Sequence, residues 1–221
     1  MPELSFPNES SEYRKARKEL LKAEIALRQQ IADVAARRSQ LPSGGEIPED
    51  YIFQKPGSGG QSEGAALSSL FENGQKNLLV YSFMFSPAMQ RPCPMCSSML
   101  DALNGNAGQI RKRVSIAVAA QSPIERITAF ARERGWSNLP IVSSGRNTYQ
   151  RDYFGETGDG TQMPMANVFV RDEGQIRHFW GSEMLFADLD GQPRHVDLLW
   201  PLWNALDLTP PGRGTDWYPS L

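Results

Sequence analysis

The sequence predicts an α/β protein whose mixed β-sheet is flanked by helices and preceded by an N-terminal helical extension. Short apolar runs rich in β-branched residues alternate with segments of helical period, which is the pattern of parallel strands joined by crossover helices. Two alternating runs separated by a turn at 172–174 predict an antiparallel hairpin that extends the sheet. A charged segment of helical period at 10–38 precedes all of these elements.

The first element is a long amphipathic helix over residues 10–38, which Ser10 or Ser11 can cap. Charged residues cover most of its surface and leave one apolar stripe. The stripe consists of Leu20, Leu21, Ile25, Leu27, Ile31 and Val34. Acidic residues lie among the basic ones, so a membrane-surface helix is disfavoured. We expect this helix to pack within the protein or to form a homodimer.

Residues 39–66, rich in Gly, Pro and Ser, are predicted to be a connector. Within them only the short run "DYIFQ" has the character of an edge strand. The predicted division is therefore residues 1–66, holding the N-terminal helix and the connector, and a sheet-containing domain at 67–221.

The apolar run from Leu78 to Phe85 is bounded by turn and proline signals, which fits a buried central strand. It leads into "CPMC" and then into a short predicted helix that ends near Gly105. The run "RVSIAVAA" is the next strand, because β-branched and small apolar residues dominate it.

The next helix is "SPIERITAFARERGW", for which Ser122 and Glu125 are predicted to form a capping box and Gly135 the C-terminal stop. The strand "LPIVSS", a long irregular segment and the hairpin at 166–171 and 175–180 follow. The final helix is bent or restarted at Pro201. This order of strands and helices is thioredoxin-like, and it assigns that fold to residues 67–221.

Composition excludes several partner classes. The formal net charge is −2, which gives no reason to expect nucleic acid or an anionic membrane as partner. No apolar run is as long as a membrane span, and the first residues lack the charged start and apolar core of a secretory signal. We therefore expect a cytoplasmic location.

Both cysteines of the chain, Cys93 and Cys96, lie in the pattern "CPMC" at the predicted strand-to-helix junction. The unpaired backbone amides and the positive dipole end of a helix N-terminus favour an anion, so a thiolate is favoured at Cys93. Cys96 follows one helical turn later and can close a disulfide with it. The predicted chemistry is thiol–disulfide exchange, in which Cys93 attacks a protein or small-molecule disulfide and Cys96 resolves the mixed disulfide.

Other uses of the pair compete with this prediction. Buried cysteines also serve as small hydrophobic residues. A zinc site needs four N or S ligands, and only His178 and His195 could complete one, at a spacing untypical of zinc fingers. An iron–sulfur cluster would need thiolates from a second chain. We expect neither a metal nor a cofactor.

Five residues near the pair or in the long irregular segment are expected to contact substrate. Pro94 and Met95 separate the cysteines, and Arg91 is either a cationic neighbour of the thiolate or a solvated surface charge. Pro164 precedes the hairpin strand, where thioredoxin-like folds carry a cis proline facing the cysteines, and the backbone of Met163 would then pair with substrate. The sequence leaves the cis and trans forms of the bond between Met163 and Pro164 open.

The segment "VYSFMFSPAMQRPCPMCSSMLDAL" resembles the bacterial thioredoxin-like family known as domain-of-unknown-function family 899. The segments "ARRSQLP", "LSSLF", "RERGWSNLPIVSS", "NTYQRDYFGE" and "LDLTPPGRG" extend the resemblance from about residue 10 to the end. Members are commonly labelled predicted dithiol-disulfide oxidoreductases. The resemblance implies a thioredoxin-like core with an added N-terminal helix, and it points to Cys93 and Cys96.

Unlike thioredoxin, the strand "NLLVYSFMF" holds no carboxylate that could accept the proton of Cys96. Asp101 on the next helix is a candidate substitute, although an Asp is ordinarily exposed to solvent.

Two other functions compete with disulfide exchange. A thiol peroxidase would use Cys93 as its peroxidatic cysteine, but Gln90 stands where peroxiredoxins carry an activating Thr. A non-enzymatic binding or assembly module on the same scaffold would use exposed aromatic residues. The candidates for such a surface are Trp200, Trp203, Trp217 and Tyr218.

Overall fold

The computed structural model describes residues 4–191, 194–212, 214 and 216–221. It divides into two compact units, Met1–Pro42 and Ser43–Leu221. The division therefore falls after Pro42 and not after residue 66, because residues between 43 and 66 belong to the sheet-containing unit.

The first unit contains helix α1 (Ser11–Ser39), in agreement with the predicted helix at 10–38. The hydroxyl of Ser10 caps it by accepting a hydrogen bond from the amide of Tyr13 at 3.1 Å. No residue of α1 is buried, and its apolar stripe is exposed except at the partly buried Val34, with Ile25 and Leu27 each at 62%. Dimerisation through this stripe stays a prediction.

The second unit is built on one seven-stranded sheet. Its strands are β1 (Ile52–Pro56), β2 (Ser62–Ala66), β3 (Asn77–Ser82), β4 (Ser115–Ala120), β5 (Ile141–Ser143), β6 (Ala166–Asp172) and β7 (Gln175–Gly181). Their order across the sheet is β2-β1-β5-β4-β3-β6-β7. Strands β3, β4 and β5 are parallel, whereas β6 and β7 continue the sheet antiparallel and β1 and β2 close its other side antiparallel. The sheet is the predicted thioredoxin-like mixed sheet.

The helices of this unit are α2 (Pro94–Ile110), α3 (Ile124–Glu133), α4 (Tyr149–Asp152) and α5 (Pro201–Leu206). Alternation along β3 sends its side chains into two cores. Leu79 and Tyr81 pack with residues of α2, α3 and α5, whereas Leu78 and Val80 pack on the opposite face with Tyr149 of α4. Both faces of the central strand are therefore buried, as the apolar run predicted.

Four local predictions were wrong. Residues 52–66 form the β1–β2 hairpin instead of a connector, and β2 rather than β1 is the edge strand. Helix α2 continues through Gly105 to Ile110, because Leu103 and Ala107 remain buried and outweigh the cost of glycine in a helix.

The predicted cap at Ser122 is also absent. The N-cap of α3 is Pro123, with no side-chain hydrogen bond, and the buried Ser122 hydroxyl has no hydrogen-bond partner among the described residues. The amide of Ser122 donates to the carbonyl of Phe85 at 2.8 Å, and its own carbonyl accepts from the Ser143 hydroxyl at 2.7 Å. Tertiary hydrogen bonds thus hold this residue at the end of the sheet.

Two other local predictions are confirmed. Gly135 follows α3 with a φ of +72°, the left-handed conformation that glycine adopts at helix ends. A turn at Glu173 and Gly174, both with positive φ, joins β6 to β7. Among the described residues, no helix combines the length and the apolar character that crossing a bilayer requires.

Candidate active site

Cys93 lies at the N-terminus of α2, as the sequence predicted. It is the N-cap residue, and Pro94 occupies the first helical turn, where its missing amide hydrogen costs no hydrogen bond. The backbone amide of Cys93 donates to the carbonyl of Met84 at 3.1 Å, which ties the cysteine to the segment that leaves β3. Its Sγ accepts a hydrogen bond from the amide of Cys96 at 3.5 Å. The helix terminus therefore places a polar hydrogen against this sulfur.

Three hydrogen bonds lower the pKa of the Cys93 thiol from 9.0 to about 6. The side chain of Cys96 makes the largest contribution, the amides of Cys96 and Met95 add to it, and burial opposes all three. At neutral pH the group is mostly the thiolate, which is the nucleophilic form of cysteine.

Cys96 behaves in the opposite way. It is only 3% exposed, and burial raises the pKa of its thiol well above 9.0, with further increases from the hydrogen bond and the charge of Cys93. Cys96 thus remains a neutral thiol whose S–H donates to the Cys93 thiolate. Neither cysteine is in a disulfide. The pair holds one proton between two sulfurs, and the exposure of each sulfur decides which one keeps it.

Tyr81 is a site residue that the sequence reasoning missed. It lies in β3, is 1% exposed, and its hydroxyl forms a hydrogen bond with the Cys96 side chain. That bond lowers the pKa of Cys96 against the effect of burial, while burial raises the pKa of Tyr81 well above its usual range. The sequence could have shown its role, because Tyr81 places a hydroxyl, rather than a carboxylate, on the side of β3 that faces α2.

Asp101 does not take the place of that carboxylate. Its side chain accepts hydrogen bonds from the guanidinium of Arg134 and from Nε1 of Trp136, the latter at 2.8 Å. These contacts attach α2 to the end of α3. The suggestion that Asp101 serves Cys96 was therefore wrong, and Tyr81 is the polar group beside this thiol.

A cavity of about 230 Å³ adjoins the two sulfurs, and we call it the thiol cavity. Its walls come from the cysteine pair, Tyr81, Met84, Met95, Pro164 and side chains between Arg194 and Trp203. Trp200 and Trp203 are buried in the core beside it, whereas Trp217 and Tyr218 are about half exposed. Trp200 and Trp203 are therefore unavailable for the surface that a non-enzymatic binding or assembly module would use.

The predicted substrate-contacting residues have different positions. Pro164 and Met95 line the thiol cavity, whereas Pro94 is exposed at the helix start. Met163 is half-buried, and its amide donates to the carbonyl of Gly155 at 2.9 Å. No cis peptide bond occurs among the described residues, so the bond between Met163 and Pro164 is trans. Proximity of Pro164 to the pair is thus achieved without the cis form, and the substrate contacts stay predictions.

Arg91 is not directed at the thiolate. Its guanidinium pairs with Glu133 at 2.7 Å and lies over the ring of Phe130, 5.5 Å from the ring centre. Both partners of this ion pair are about half exposed. Arg91 is therefore the solvated surface charge of the two alternatives, and it does not contribute to the lowered pKa of Cys93.

His195 lines the thiol cavity, but it supplies no positive charge at neutral pH. Burial lowers its pKa to about 4, and its Nδ1 lies 3.2 Å from the hydroxyl of Ser182. In the part of the chain that the structure describes, no three His, Cys, Asp or Glu side chains are grouped as metal ligands. The groups that lower the pKa of Cys93 act through hydrogen bonds.

Solved structures with a similar fold include peroxidoxin BcpB from Mycobacterium tuberculosis, which is 18% identical, with 76% of this chain and 99% of that chain covered and a TM-score of 0.46. Thioredoxin peroxidase I of Plasmodium yoelii is 16% identical, with coverages of 76% and 91% and a TM-score of 0.47. A cysteine-to-serine mutant of peroxiredoxin Q from Xanthomonas campestris is 15% identical, with coverages of 62% and 84% and a TM-score of 0.44.

No curated protein matches the chain in sequence. The family model described as "Bacterial protein of unknown function (DUF899)" matches residues 4–221, which is nearly the whole chain. That extent agrees with the resemblance in segments spread from the N-terminal helix to the last residues. The chain therefore belongs to the DUF899 family of bacterial proteins.

Proposed function

We propose that this protein is a thiol–disulfide oxidoreductase in which Cys93 is the nucleophile and Cys96 the resolving thiol. The observation that carries the proposal is the opposite shift of the two pKa values within one hydrogen-bonded pair at a helix N-terminus. One sulfur is a thiolate at the wall of a cavity, and the other is a buried thiol one turn behind it.

The reaction proceeds in two exchanges. The Cys93 thiolate attacks one sulfur of a substrate disulfide, forms a mixed disulfide and releases the other half as a thiolate. Cys96 then loses its proton to the departing thiolate or to solvent and attacks Sγ of Cys93. The second half of the substrate leaves as a thiolate, and the chain retains a disulfide between Cys93 and Cys96. Two electrons have passed from the dithiol to the substrate.

Tyr81 supports the second exchange. Once Cys93 is in the mixed disulfide it no longer carries the negative charge that held the proton on Cys96, and one cause of the raised pKa of Cys96 disappears. The Tyr81 hydroxyl then donates to the developing thiolate in a buried setting where few other donors are available. Tyr81 acts through Cys96 and is a positioning residue.

The test is the reduction of an aryl disulfide by the fully reduced protein, followed through the absorbance of the released thiolate. Wild-type protein is expected to release two equivalents per chain, and the Cys93→Ser variant to lose activity by on the order of a thousandfold. Asn106→Ala, an exposed position on the same helix, is a matched control that leaves both sulfurs in place. Equal rates for wild type and Cys93→Ser would end the proposal.

A thiol peroxidase is the second candidate, and the size of the thiol cavity favours it. A volume of about 230 Å³ beside Cys93 readily admits a hydroperoxide. The thiolate would attack the terminal oxygen and break the O–O bond, which gives a sulfenic acid and an alkoxide that takes a proton from solvent and leaves as an alcohol. Cys96 would then condense with the sulfenic acid to give the disulfide and water. Two results would favour this candidate. The protein would consume hydroperoxide faster than it reduces any disulfide, and the Cys96→Ser variant would accumulate a sulfenic acid on Cys93.

A further inference from the structure

A second and larger cavity lies on the opposite face of the sheet from the cysteines. Its volume is about 830 Å³, within the range of sites for drug-sized ligands. Asn167 and His178 contribute to it from β6 and β7, and Met165 lines it directly after Pro164, which lines the thiol cavity. We call it the aromatic cavity, because Tyr153, Phe154 and Phe186 form much of its wall.

The rim of this cavity exposes large apolar side chains. Phe154 is 61% exposed and Phe186 48%, and their rings are in contact with centres 5.7 Å apart. The backbone of Phe154 has a φ of +56°, a left-handed conformation that costs energy for a bulky residue and is maintained by its surroundings. Exposed apolar surface around a concave site is typical of ligand binding.

The polar side chains at the floor of the aromatic cavity leave one hydrogen-bond acceptor available. The side-chain amide of Asn167 donates to the carbonyl of Tyr153 at 3.1 Å, so its oxygen faces Nε2 of His178 at 3.0 Å. Nε2 must therefore carry the hydrogen of a neutral imidazole, and Nδ1 is left as an acceptor. The ring is held in place by stacking on Tyr153, with centres 5.5 Å apart.

The charges of the wall are all of one sign. Three carboxylates line the cavity, and none of its described lining residues is Lys or Arg. Glu46 pairs with Arg177 at 3.7 Å, and Asp152 accepts a hydrogen bond from the Tyr51 hydroxyl at 2.8 Å. Glu183, at the rim, forms no hydrogen bond or ion pair with any residue that the structure describes.

We propose that the aromatic cavity binds a small organic cation, with an aromatic or other flat apolar body and a protonated amine. Aromatic rings provide apolar area and attract cations at their faces, the carboxylate of Glu183 supplies the opposite charge, and the remaining floor group accepts hydrogen bonds. An anion of the same shape would meet the same apolar wall but would be repelled by the carboxylates of Glu183 and Asp152. This site is separate from the thiol chemistry and does not depend on it.

The test compares naphthylmethylamine with naphthoate by isothermal titration calorimetry of the whole chain. The two probes share a ring system and differ in the sign of the charge. The amine is expected to bind at one site, about tenfold or more tighter than the acid. Glu183→Gln is expected to weaken the amine about fivefold, and Phe186→Ala about tenfold, because one loses an ion pair and the other a ring contact.

Two controls keep the result specific. Glu125→Gln removes an exposed carboxylate on α3 outside the cavity, and Cys93→Ser removes the nucleophile, and both should bind the amine as wild type does. Equal binding of amine and acid, or equal losses in Glu183→Gln and Glu125→Gln, would overturn the proposal. Self-association in sedimentation that Phe186→Ala abolishes would assign the rim to a second copy of the chain and would overturn it as well.

Discussion

The thiol cavity and the aromatic cavity lie on opposite faces of one sheet and differ in the chemistry that they offer. The first is small and contains a thiolate, a buried thiol and a tyrosine hydroxyl, all held by hydrogen bonds between them. The second is more than three times larger and offers acceptors and aromatic rings, with no nucleophile among its described lining residues. One is suited to a covalent step, and the other to reversible binding.

Strand alternation accounts for this separation. Successive residues of a strand point to opposite faces, so Ala166 packs in the core beside the cysteines while Asn167 faces the aromatic cavity. The same rule places Tyr81 with Cys96 and its neighbour Val80 in the opposite core. Residues adjacent in sequence can therefore serve independent sites, and substitutions on one face should leave the other unchanged.

The largest expected effect is on the pH dependence of Cys93 reactivity in the thiol cavity. Because hydrogen bonds lower the pKa of Cys93 to about 6, its alkylation by iodoacetamide should rise with a midpoint near pH 6 and level off at neutral pH. The Cys96→Ala variant loses the main donor, so its midpoint should move toward 9.0 and the rate at pH 7 should fall by on the order of tenfold or more.

The control for this profile is Ser97→Ala, which leaves both sulfurs in place. Its hydroxyl donates to the carbonyl of Cys93 at 2.9 Å and does not touch Sγ. If alkylation of the wild type had its midpoint at the ordinary pKa of cysteine, the opposite pKa shifts of Cys93 and Cys96 would be contradicted.

The next effect concerns Tyr81. Replacing it with Phe keeps the ring and removes the hydrogen bond to Cys96, so the second exchange should slow by about tenfold while the first is unchanged. Rapid quenching and intact-protein mass spectrometry would then show more mixed disulfide at early times. Tyr149→Phe, a buried tyrosine in the opposite core, should show no accumulation. Equal accumulation in both variants would mean that Tyr81 acts only through packing.

The smallest effect concerns the pH dependence of stability, to which one histidine on each face of the sheet contributes. Burial lowers the pKa of His195 beside the thiol cavity to about 4 and lowers that of His178 in the aromatic cavity. Between pH 6.5 and pH 4 the unfolded chain therefore binds protons at His195 more readily than the folded chain does. The free energy of unfolding should decrease as the pH falls through this range.

Urea denaturation at pH 5 and pH 7 measures this change. The His195→Gln variant should lose less stability on acidification than wild type does, because one of the two partly buried imidazoles is removed. If the free energy of unfolding fell between pH 7 and pH 5 by as much in His195→Gln as in wild type, His195 would not contribute to the pH dependence. His178→Gln is a second test variant on the other face and should reduce the same difference independently.

Local signals predicted the parts of the structure that depend on local interactions. Helix α1, the central strand β3, the β6–β7 hairpin and the cysteines at the start of α2 all follow from period, turn residues and capping preferences within a short window. The restart of the last helix at Pro201 belongs to the same class, since proline acts on its own neighbours.

The prediction errors arose where contacts between residues distant in sequence determine the local structure. The Gly-rich sequence of 52–66 forms a hairpin because Tyr51 and Phe53 are buried against β5 and the opposite core, which no local pattern shows. The wall that Arg194 to Trp203 give to the thiol cavity is also a long-range feature. The pairing of Tyr81 with Cys96 was within reach of the sequence, since both residues lie on adjoining predicted elements and a hydroxyl can hydrogen-bond a thiol as a carboxylate can.

The most direct test of the central claim is to trap the first exchange. The reduced Cys96→Ser variant is mixed with an aryl disulfide and examined by intact-protein and peptide mass spectrometry. A single stable adduct of one substrate half on Cys93, formed at neutral pH, is the result that our account predicts. The absence of any adduct on Cys93, while the denatured variant is readily modified, would contradict it.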